Sequence, residues 1–391
     1  MLQQENKTDF NSVIGFALIG IVLFWFLNEQ AKVQEVIQMQ SSIETSNEYK
    51  SSDDTGKDSI ILSSHTEEQL IDFNSEQSYG AFAGQAIGNK NPLVEKLYLE
   101  NDLVKIEIDP KGARITSVFL KEYQTYDSLP LNLIREDVSN FNLMFWSQNR
   151  RLQTSDFIFD TNIYNQGDRE ILSMRLNVQE GRYLEFLYAL APNSYKLDYN
   201  VNIVGLDGLI DPNHPIDLNW SADIPRQELN KDNEAMNACV YYFLDGEADN
   251  LSYSSSDSET IIKPDWIAFK SQYFSSVLSS KSFSKEVKLT SSSNIDDEAF
   301  LKNMSASTTL SYEGGTKSYD MEWYFVPNHV TVLKSFDIGL ESLVPLGWSI
   351  IGWINKYVVI NIFHAFENLD FGYGIIILLM ALLIKILLFP F

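Results

Sequence analysis

The chain has 391 residues, room for two or three domains, and a formal net charge of −24 from 53 acidic and 29 basic residues. That balance argues against a nucleic-acid-binding surface, which needs a basic patch, and suits a soluble, self-repelling domain. A single cysteine, Cys239, excludes an intrachain disulfide, and His65, His214, His329 and His364 show no metal-ligand spacing.

Residues 1–11 are polar, and residues 12–27, SVIGFALIGIVLFWFL, are an uncharged apolar run that Phe10 can lengthen. Such a run is a short transmembrane helix or a signal-peptide core. The leader carries only Lys7, and Asn28-Glu29-Gln30 follows instead of a small-x-small cleavage site, which favours an uncleaved anchor over residues 1–28. Lys7 before the run and Lys32 after it barely distinguish the two orientations. Residues 29–92 are dominated by Ser, Glu, Asp, Gln, Asn and Thr, as in SSIETSNEYKSSDDTGKDS. They bury too little apolar surface to offset the entropy of ordering and are expected to form a disordered tether.

From about residue 93 the pattern turns to period two. LVKIEI alternates with Val104, Ile106 and Ile108 on one face, Asp109-Pro110-Lys111-Gly112 supplies a turn, and ARITSVFL returns. Tyr195, Leu197, Tyr199, Val201 and Ile203 repeat the alternation, as do Ile216, Leu218 and Trp220, and then Tyr319, Met321, Trp323 and Phe325. Short strands separated by Gly, Pro, Asn and Asp turns predict a large antiparallel sandwich over 93–337. Within it, His214 in DPNHP reads far better as a turn histidine than as a catalytic base, and Cys239 better as a buried strand thiol than as a nucleophile.

Residues 338–369 return to helical spacing. Glu341, Ser342, Ser349, Lys356, His364 and Glu367 fall on one side, with Leu343, Leu346, Ile350, Ile354, Val358 and Phe363 on much of the remainder. A broad apolar face with a thin polar stripe predicts a helix lying in a membrane interface, with Trp348, Trp353 and Tyr357 as anchors. The competing span over 346–366 would put Lys356 at its centre. Residues 370–391 hold FGYGIIILLMALLIKILLFPF, a run long enough to cross a bilayer core as a helix. Lys385 sits deep in that run, where a lysine faces a polar cavity or a partner, or snorkels to the nearer interface. Pro390 is expected to kink or end the helix. The chain stops at Phe391 with no polar flank, as expected of a piece of a longer protein.

This order of parts, with NSVIGFALIGIVLFW (11–25), WIAFKSQYFSSVL (266–278), YFVPNHVTVLKSFD (324–337), LVPLGWSIIGWINKYVVINIF (343–363) and FGYGIIILLMALLIKILLFP (371–390), resembles the YidC family of bacterial membrane protein insertases, in its Bacteroidetes-type form. The resemblance implies a cytoplasmic N-terminus, an inner-membrane location and a periplasmic β-supersandwich related to mutarotase-like folds. It implies an insertase and chaperone that makes and breaks no bond and uses no cofactor or metal. Lys385 stands where most members carry Arg, five residues before Pro390, and would supply the cation of a hydrophilic groove. The implied partners are nascent inner-membrane proteins, membrane lipids and the Sec translocon, SecYEG with SecDF, and a ribosome contact is compatible with the family. Roughly four more spans and a cytoplasmic helical hairpin would follow Phe391. The other functional class is a membrane-tethered periplasmic module that binds a glycan or a protein, which needs neither a second span nor a buried cation.

Overall fold

The computed structural model describes residues 76–87, 95–136, 138–283, 286–293, 297–345, 358–367 and 373–388. The alternating stretches form strands. A four-stranded antiparallel meander holds β1 (Leu97–Glu100), β2 (Val104–Asp109), β3 (Arg114–Gln124) and β4 (Pro130–Ile134), in that order. Val104, Ile106 and Ile108 all point into the core, and Asp109 Oδ1 accepts from the Lys111 amide at 2.8 Å in the following turn.

The chain continues through β5 (Ser139–Ser147), β6 (Arg150–Gln153), β7 (Asp160–Gln166), β8 (Arg169–Gln179), β9 (Arg182–Leu190), β10 (Lys196–Val204) and β11 (Ile216–Pro225). A short helix α1 (Lys231–Ala235) follows, then β12 (Cys239–Leu244), β13 (Glu247–Asn250), β14 (Asp257–Ile261), β15 (Trp266–Lys270) and β16 (Phe274–Ser280). The last strands are β17 (Val287–Ser292), β18 (Phe300–Leu310) and β19 (Lys317–Pro327). One sheet has nine strands in the order β13-β12-β15-β16-β19-β10-β9-β8-β7, the other six in the order β14-β17-β18-β11-β5-β6. Every pairing between these strands is antiparallel.

Aromatic side chains close the space between the sheets. Trp220 on β11 stacks on Phe269 of β15 with ring centroids 3.6 Å apart and meets Trp323 of β19 edge-on at 4.9 Å. Phe141 on β5 stands edge-on to Tyr199 of β10 at 5.7 Å. The four-stranded sheet covers the nine-stranded one beside this contact: the Tyr188 hydroxyl on β9 donates to the Ala113 carbonyl at 2.6 Å, and Tyr123 of β3 meets Phe274 of β16 at 5.1 Å. The period-two residues Tyr195 to Ile203, Ile216 to Trp220 and Tyr319 to Phe325 line this core as expected.

Two boundaries differ from the sequence expectation. The tether predicted over 29–92 includes an ordered piece: Gly80–Gln85 forms a 3-10 helix with Phe82 fully buried between Phe145 and Phe157 at 5.4 and 5.9 Å. The Ile87 amide donates to the Asp156 carbonyl at 3.0 Å and the Ile158 amide to the Gln85 carbonyl at 2.9 Å. The stretch YGAFAG, unlike the rest of the tether, carries two aromatics among small residues that allow close approach. Residues 29–75 and the anchor at 1–28 lie outside the described residues. The helix predicted from 338 also starts differently: Leu340–Leu343 is a 3-10 turn with Leu340 and Leu343 fully buried in the domain, and Val344 is extended before Pro345.

Helix α2 (Val330–Lys334) follows β19, and α3 (Ile360–Glu367) and α4 (Tyr373–Leu388) come last. Among the described residues no helix is long and apolar enough to cross a membrane. The expected span over 370–391 is described as helix for 16 residues, Tyr373–Leu388.

The ordered 76–87 and 338–343 pieces generate a prediction. A fragment spanning 76–345 should unfold at higher urea than one spanning 93–327, and Phe82→Ala in the longer fragment should cost about 3–4 kcal/mol through the cavity it leaves. Urea titrations followed by tryptophan fluorescence measure both, and equal midpoints would show that the docked pieces contribute nothing.

Candidate functional site

Two of the stretches that carry the sequence pattern meet in space and control how the chain leaves the β-domain. WIAFK is β15, buried along its whole length, and its turn into β16 is held by Asn328, the first residue after β19. The Asn328 side chain donates to the Ser271 and Gln272 carbonyls at 3.2 and 3.3 Å and accepts from Ser275 Oγ at 2.7 Å, while its amide donates to the Tyr273 carbonyl at 2.7 Å. The chain then forms α2, whose Leu333 is buried, and Phe336 meets Tyr324 edge-on at 4.9 Å. Trp266, at the start of WIAFK, donates from Nε1 to the Ile338 carbonyl at 2.9 Å. Gly339 lies against the Phe243 ring, which is itself stacked on Trp266 at 5.3 Å. Its φ is +77°, and a Cβ there would sit 2.6 Å from the ring, so both backbone and space demand glycine.

Beyond this clasp an open cleft of about 820 Å³ lies between the β12–β13 turn, α2, residues 339–345 and the start of α3. Glu247, Lys334 and Glu341 line it together with Phe243, Val330, Val344 and Pro345, so its wall is mixed polar and apolar. Helix α3 reaches α4 through Phe363, whose ring stacks on Tyr373 at 6.2 Å.

Among the described side chains of helix α4, Ile376 and Met380, one turn apart, are buried. Ile375, Ile377, Leu378 and Leu382 are each more than half exposed. Lys385 is in the last turn, roughly 180° around the helix from Ile376 at 100° per residue, and it is exposed. Among the described residues it has no ion pair. Pro390 and the expected interfacial anchors Trp348, Trp353 and Tyr357 lie outside the described residues.

The two side chains whose catalytic reading was disfavoured behave accordingly. His214 is exposed in a turn, its Nδ1 2.9 Å from Asp211 Oδ2 and its ring stacked on Trp146 at 5.1 Å. Cys239 is fully buried, its thiol donates to the Leu251 carbonyl at 2.8 Å, and burial pushes its pKa up to about 11. It is a thiol, not a thiolate, at neutral pH.

Sequence reading missed the lysines beside it. Lys270, inside WIAFK, and Lys302 are 3 and 2% exposed, and among the described residues neither has a carboxylate partner. Lys270 Nζ donates to the Asn237 carbonyl at 3.0 Å, and Lys302 Nζ to the Ala238 and Tyr253 carbonyls at 2.8 and 2.6 Å. They tie the end of α1 and the 253 loop to the sheets. Burial pushes the Lys270 pKa down to about 8.

The molecule is thus a large antiparallel β-domain that hands its chain, through a built clasp, to an apolar helix bearing one exposed cation. The family model of the YidC periplasmic domain matches residues 96–360. The membrane protein insertase YidC of Parabacteroides distasonis is 35% identical over 407 residues, covering 98% of this chain and 63% of that protein. That of Porphyromonas gingivalis is 34% identical over 404 residues, covering 98% of this chain and 62% of its own length. A solved YidC from Thermotoga maritima covers 76% of this chain and 69% of its own at 11% identity and a TM-score of 0.35. A galactose mutarotase-like protein from Lactobacillus casei covers 59% of this chain and all of its own at 12% identity and a TM-score of 0.38. The chain belongs to the YidC family of membrane protein insertases. It spans a little under two thirds of the length of these curated relatives.

The clasp and the buried lysine each give a prediction. Gly339→Ala should cost about 2 kcal/mol through the clash with Phe243 and the left-handed backbone, and it should speed tryptic cleavage after Lys334. An unchanged cleavage rate would mean that the clasp does not hold the exit. For Lys270, the folded pKa lies below the ordinary lysine value of 10.5, so the folded state resists the charge. Stability should therefore be lowest below about pH 8 and rise by about 3 kcal/mol as the pH approaches 10.5. Ionising tyrosines affect both proteins alike, so the test is the difference between the parent and Lys270→Met in urea unfolding across that range. A difference that stays flat with pH would refute the buried-charge reading.

Proposed function

We propose that the full-length protein is an inner-membrane insertase and chaperone, of which this chain supplies the periplasmic β-domain and the first membrane-associated segments. The observation that carries this reading is α4. Its exposed apolar side chains would lie in water around most of the helix, a cost of about 25 cal/mol for each Å² of apolar surface, and lipid removes that cost. A lone cation on such a helix has a use in a wet groove. In this proposal residues 1–28 anchor the chain with its N-terminus in the cytoplasm, and 29–75 tether the domain. Residues 346–369 lie along the periplasmic interface through Trp348, Trp353 and Tyr357, and 370–391 form the second span, which Pro390 kinks or ends.

The mechanism follows from the cost of moving polar peptide through hydrocarbon. A hydrophilic groove reaching part-way across the bilayer shortens the dry path, so fewer backbone groups cross without hydrogen-bond partners. Lys385 attracts acidic residues in the short translocated tail of a substrate, and the substrate's apolar helix then leaves sideways into lipid, driven by burial. Lysine keeps the charge of the family's arginine but lacks its planar fork, so the attraction does not depend on a bidentate carboxylate contact. The substrates are nascent inner-membrane proteins, received directly or from SecYEG with SecDF, with the ribosome as a further contact.

If Lys385 acts by charge, Lys385→Arg in the full-length protein should retain insertion. Lys385→Ala should lower insertion of substrates with acidic translocated tails roughly tenfold, as loss of about 1.4 kcal/mol implies. Lys385→Glu should be worse, through like-charge repulsion. Protein levels should stay near normal in all three. Complementation of insertase-depleted cells compares them, and equal insertion by Lys, Ala and Glu would leave Lys385 a snorkelling residue with no role in the groove.

A further inference from the structure

A strand at the end of a sheet leaves half of its amides and carbonyls without ladder partners, and proteins blunt such edges with shortness, charge, proline or bulges. Among the described residues the sheets end in β1, β4, β7, β13, β6 and β14. β1, β6 and β13 have four residues each; β6 carries Arg150 and Arg151, and β13 carries Glu247 and Asp249. β4 begins at Pro130 and shifts register against β3, and β14 carries Asp257 and Glu259. β7 has none of these devices. Its seven residues, DTNIYNQ, hold no Lys, Arg or Pro, pair with β8 in unbroken register, and are all exposed.

The turn fixes which groups β7 offers. Gly167, at φ +68°, and Asp168 form a two-residue loop that closes on the Gln166–Arg169 pair. That closing pair is hydrogen-bonded, and bonded pairs alternate along an antiparallel ladder. Asn162 and Tyr164 therefore bond β8, while the amides and carbonyls of Thr161, Ile163 and Asn165 point away from the sheet. The side chains give the edge two faces. Ile163, 43% exposed, lies opposite the fully buried Leu172 and continues the core face. On the other face a notch of about 230 Å³ is lined by Asp160, Asn162, Tyr164, Ser173, Arg175 and Asn177.

Charge selects what fits there. Arg175 Nε donates to Glu185 Oε1 at 2.8 Å, and Arg169 pairs with Asp198 at 2.5 Å, so both arginines beside the edge are already engaged. Asp160 accepts from the neutral Asn177 side chain at 2.8 Å, and Asp168 is exposed in the turn. The field at the edge is thus acidic, within a chain of net charge −24. The exposed Tyr164 ring adds a face on which a cation can stack.

We infer that β7 is a docking edge for an extended, basic polypeptide segment, which adds a tenth strand to the nine-stranded sheet. Its backbone pairs with Thr161, Ile163 and Asn165, one set of its side chains meets Ile163, and a lysine or arginine of the other set enters the notch. A second copy of this chain fits less well, because it brings its own Asp160 and Asp168 to the same edge. The inference does not depend on how α4 or Lys385 acts.

The test uses the whole chain in phosphatidylcholine nanodiscs and a fluorescein-labelled peptide, Val-Lys-Val-Thr-Val-Lys-Val-Thr-Val, with its ends blocked. Anisotropy should show saturable binding that empty nanodiscs lack, and replacing both lysines of the peptide by glutamate should weaken it at least tenfold. Ile163→Pro should weaken it at least tenfold while leaving the urea midpoint unchanged, since the Ile163 amide is not part of the β8 ladder. Hydrogen exchange of the parent supplies a readout that needs no variant: saturating peptide should slow the Thr161, Ile163 and Asn165 amides and leave Asn162 and Tyr164 as they were. If Ile163→Pro lowers the urea midpoint, this exchange pattern alone decides. No binding up to about 1 mM peptide, equal binding of the lysine and glutamate peptides, equal binding by a folded Ile163→Pro, or protection that does not alternate would each overturn the inference. A dimer in sedimentation that Ile163→Pro dissolves, with no peptide binding, would give the edge to a second copy and also overturn it.

Discussion

A nine-stranded sheet presents more apolar face than either of the other two sheets can cover, and the domain is built around that mismatch. The six-stranded sheet brings Trp220 onto Phe269 and Trp323, and the four-stranded meander brings Ala113 to the Tyr188 hydroxyl and Tyr123 to Phe274. Interior packing tolerates few voids, so the three sheets are specified together. Phe82 fills the space between Phe145 and Phe157, which explains why a segment otherwise attached to polar sequence is drawn into the fold.

The same constraint explains the rigid exit. The central strands β15, β16 and β19 are paired on both sides, so β19 can release the chain only at its end. There Asn328 holds the β15–β16 turn, and the chain then runs back to the other end of β15, where Trp266 holds the Ile338 carbonyl and Gly339 lets the backbone cross the Phe243 ring. The residues that fix the exit therefore come from the two stretches, WIAFKSQYF and YFVPNHV, that also stand out in the sequence. Their prominence reflects a junction, where backbone carbonyls need particular side-chain donors, and not a reaction centre.

Much of the β-domain was legible because one face of each long strand is buried and the side-chain period is two, as in Tyr195 to Ile203. What periodicity could not give was sheet membership, since β10 pairs with β19, more than a hundred residues away. Lys270 was illegible for a related reason. Alternation places it as a surface residue, but β15 is buried along its whole length, and the Asn237 carbonyl and the Tyr241 ring, both distant in sequence, make a lysine tolerable there. The segment from Ile338 to Leu343 scanned as helix because its apolar spacing fits one. The left-handed Gly339 and the restriction that Pro345 places on Val344 override that spacing. For Lys385 the sequence located the cation, and the structure adds that it lies on the side of α4 opposite the buried Ile376.

Charge sets a last condition on how such a domain can sit near a membrane. With a net −24 over the chain, attraction to anionic headgroups is not available to hold it, and repulsion acts over about a Debye length, ~8 Å at physiological salt. An acidic domain tied to a bilayer must therefore rely on short-range apolar contact and on covalent continuity with its helices, neither of which salt screens. The covalent continuity runs through the segment that Asn328 and Gly339 hold to the domain before the helices begin.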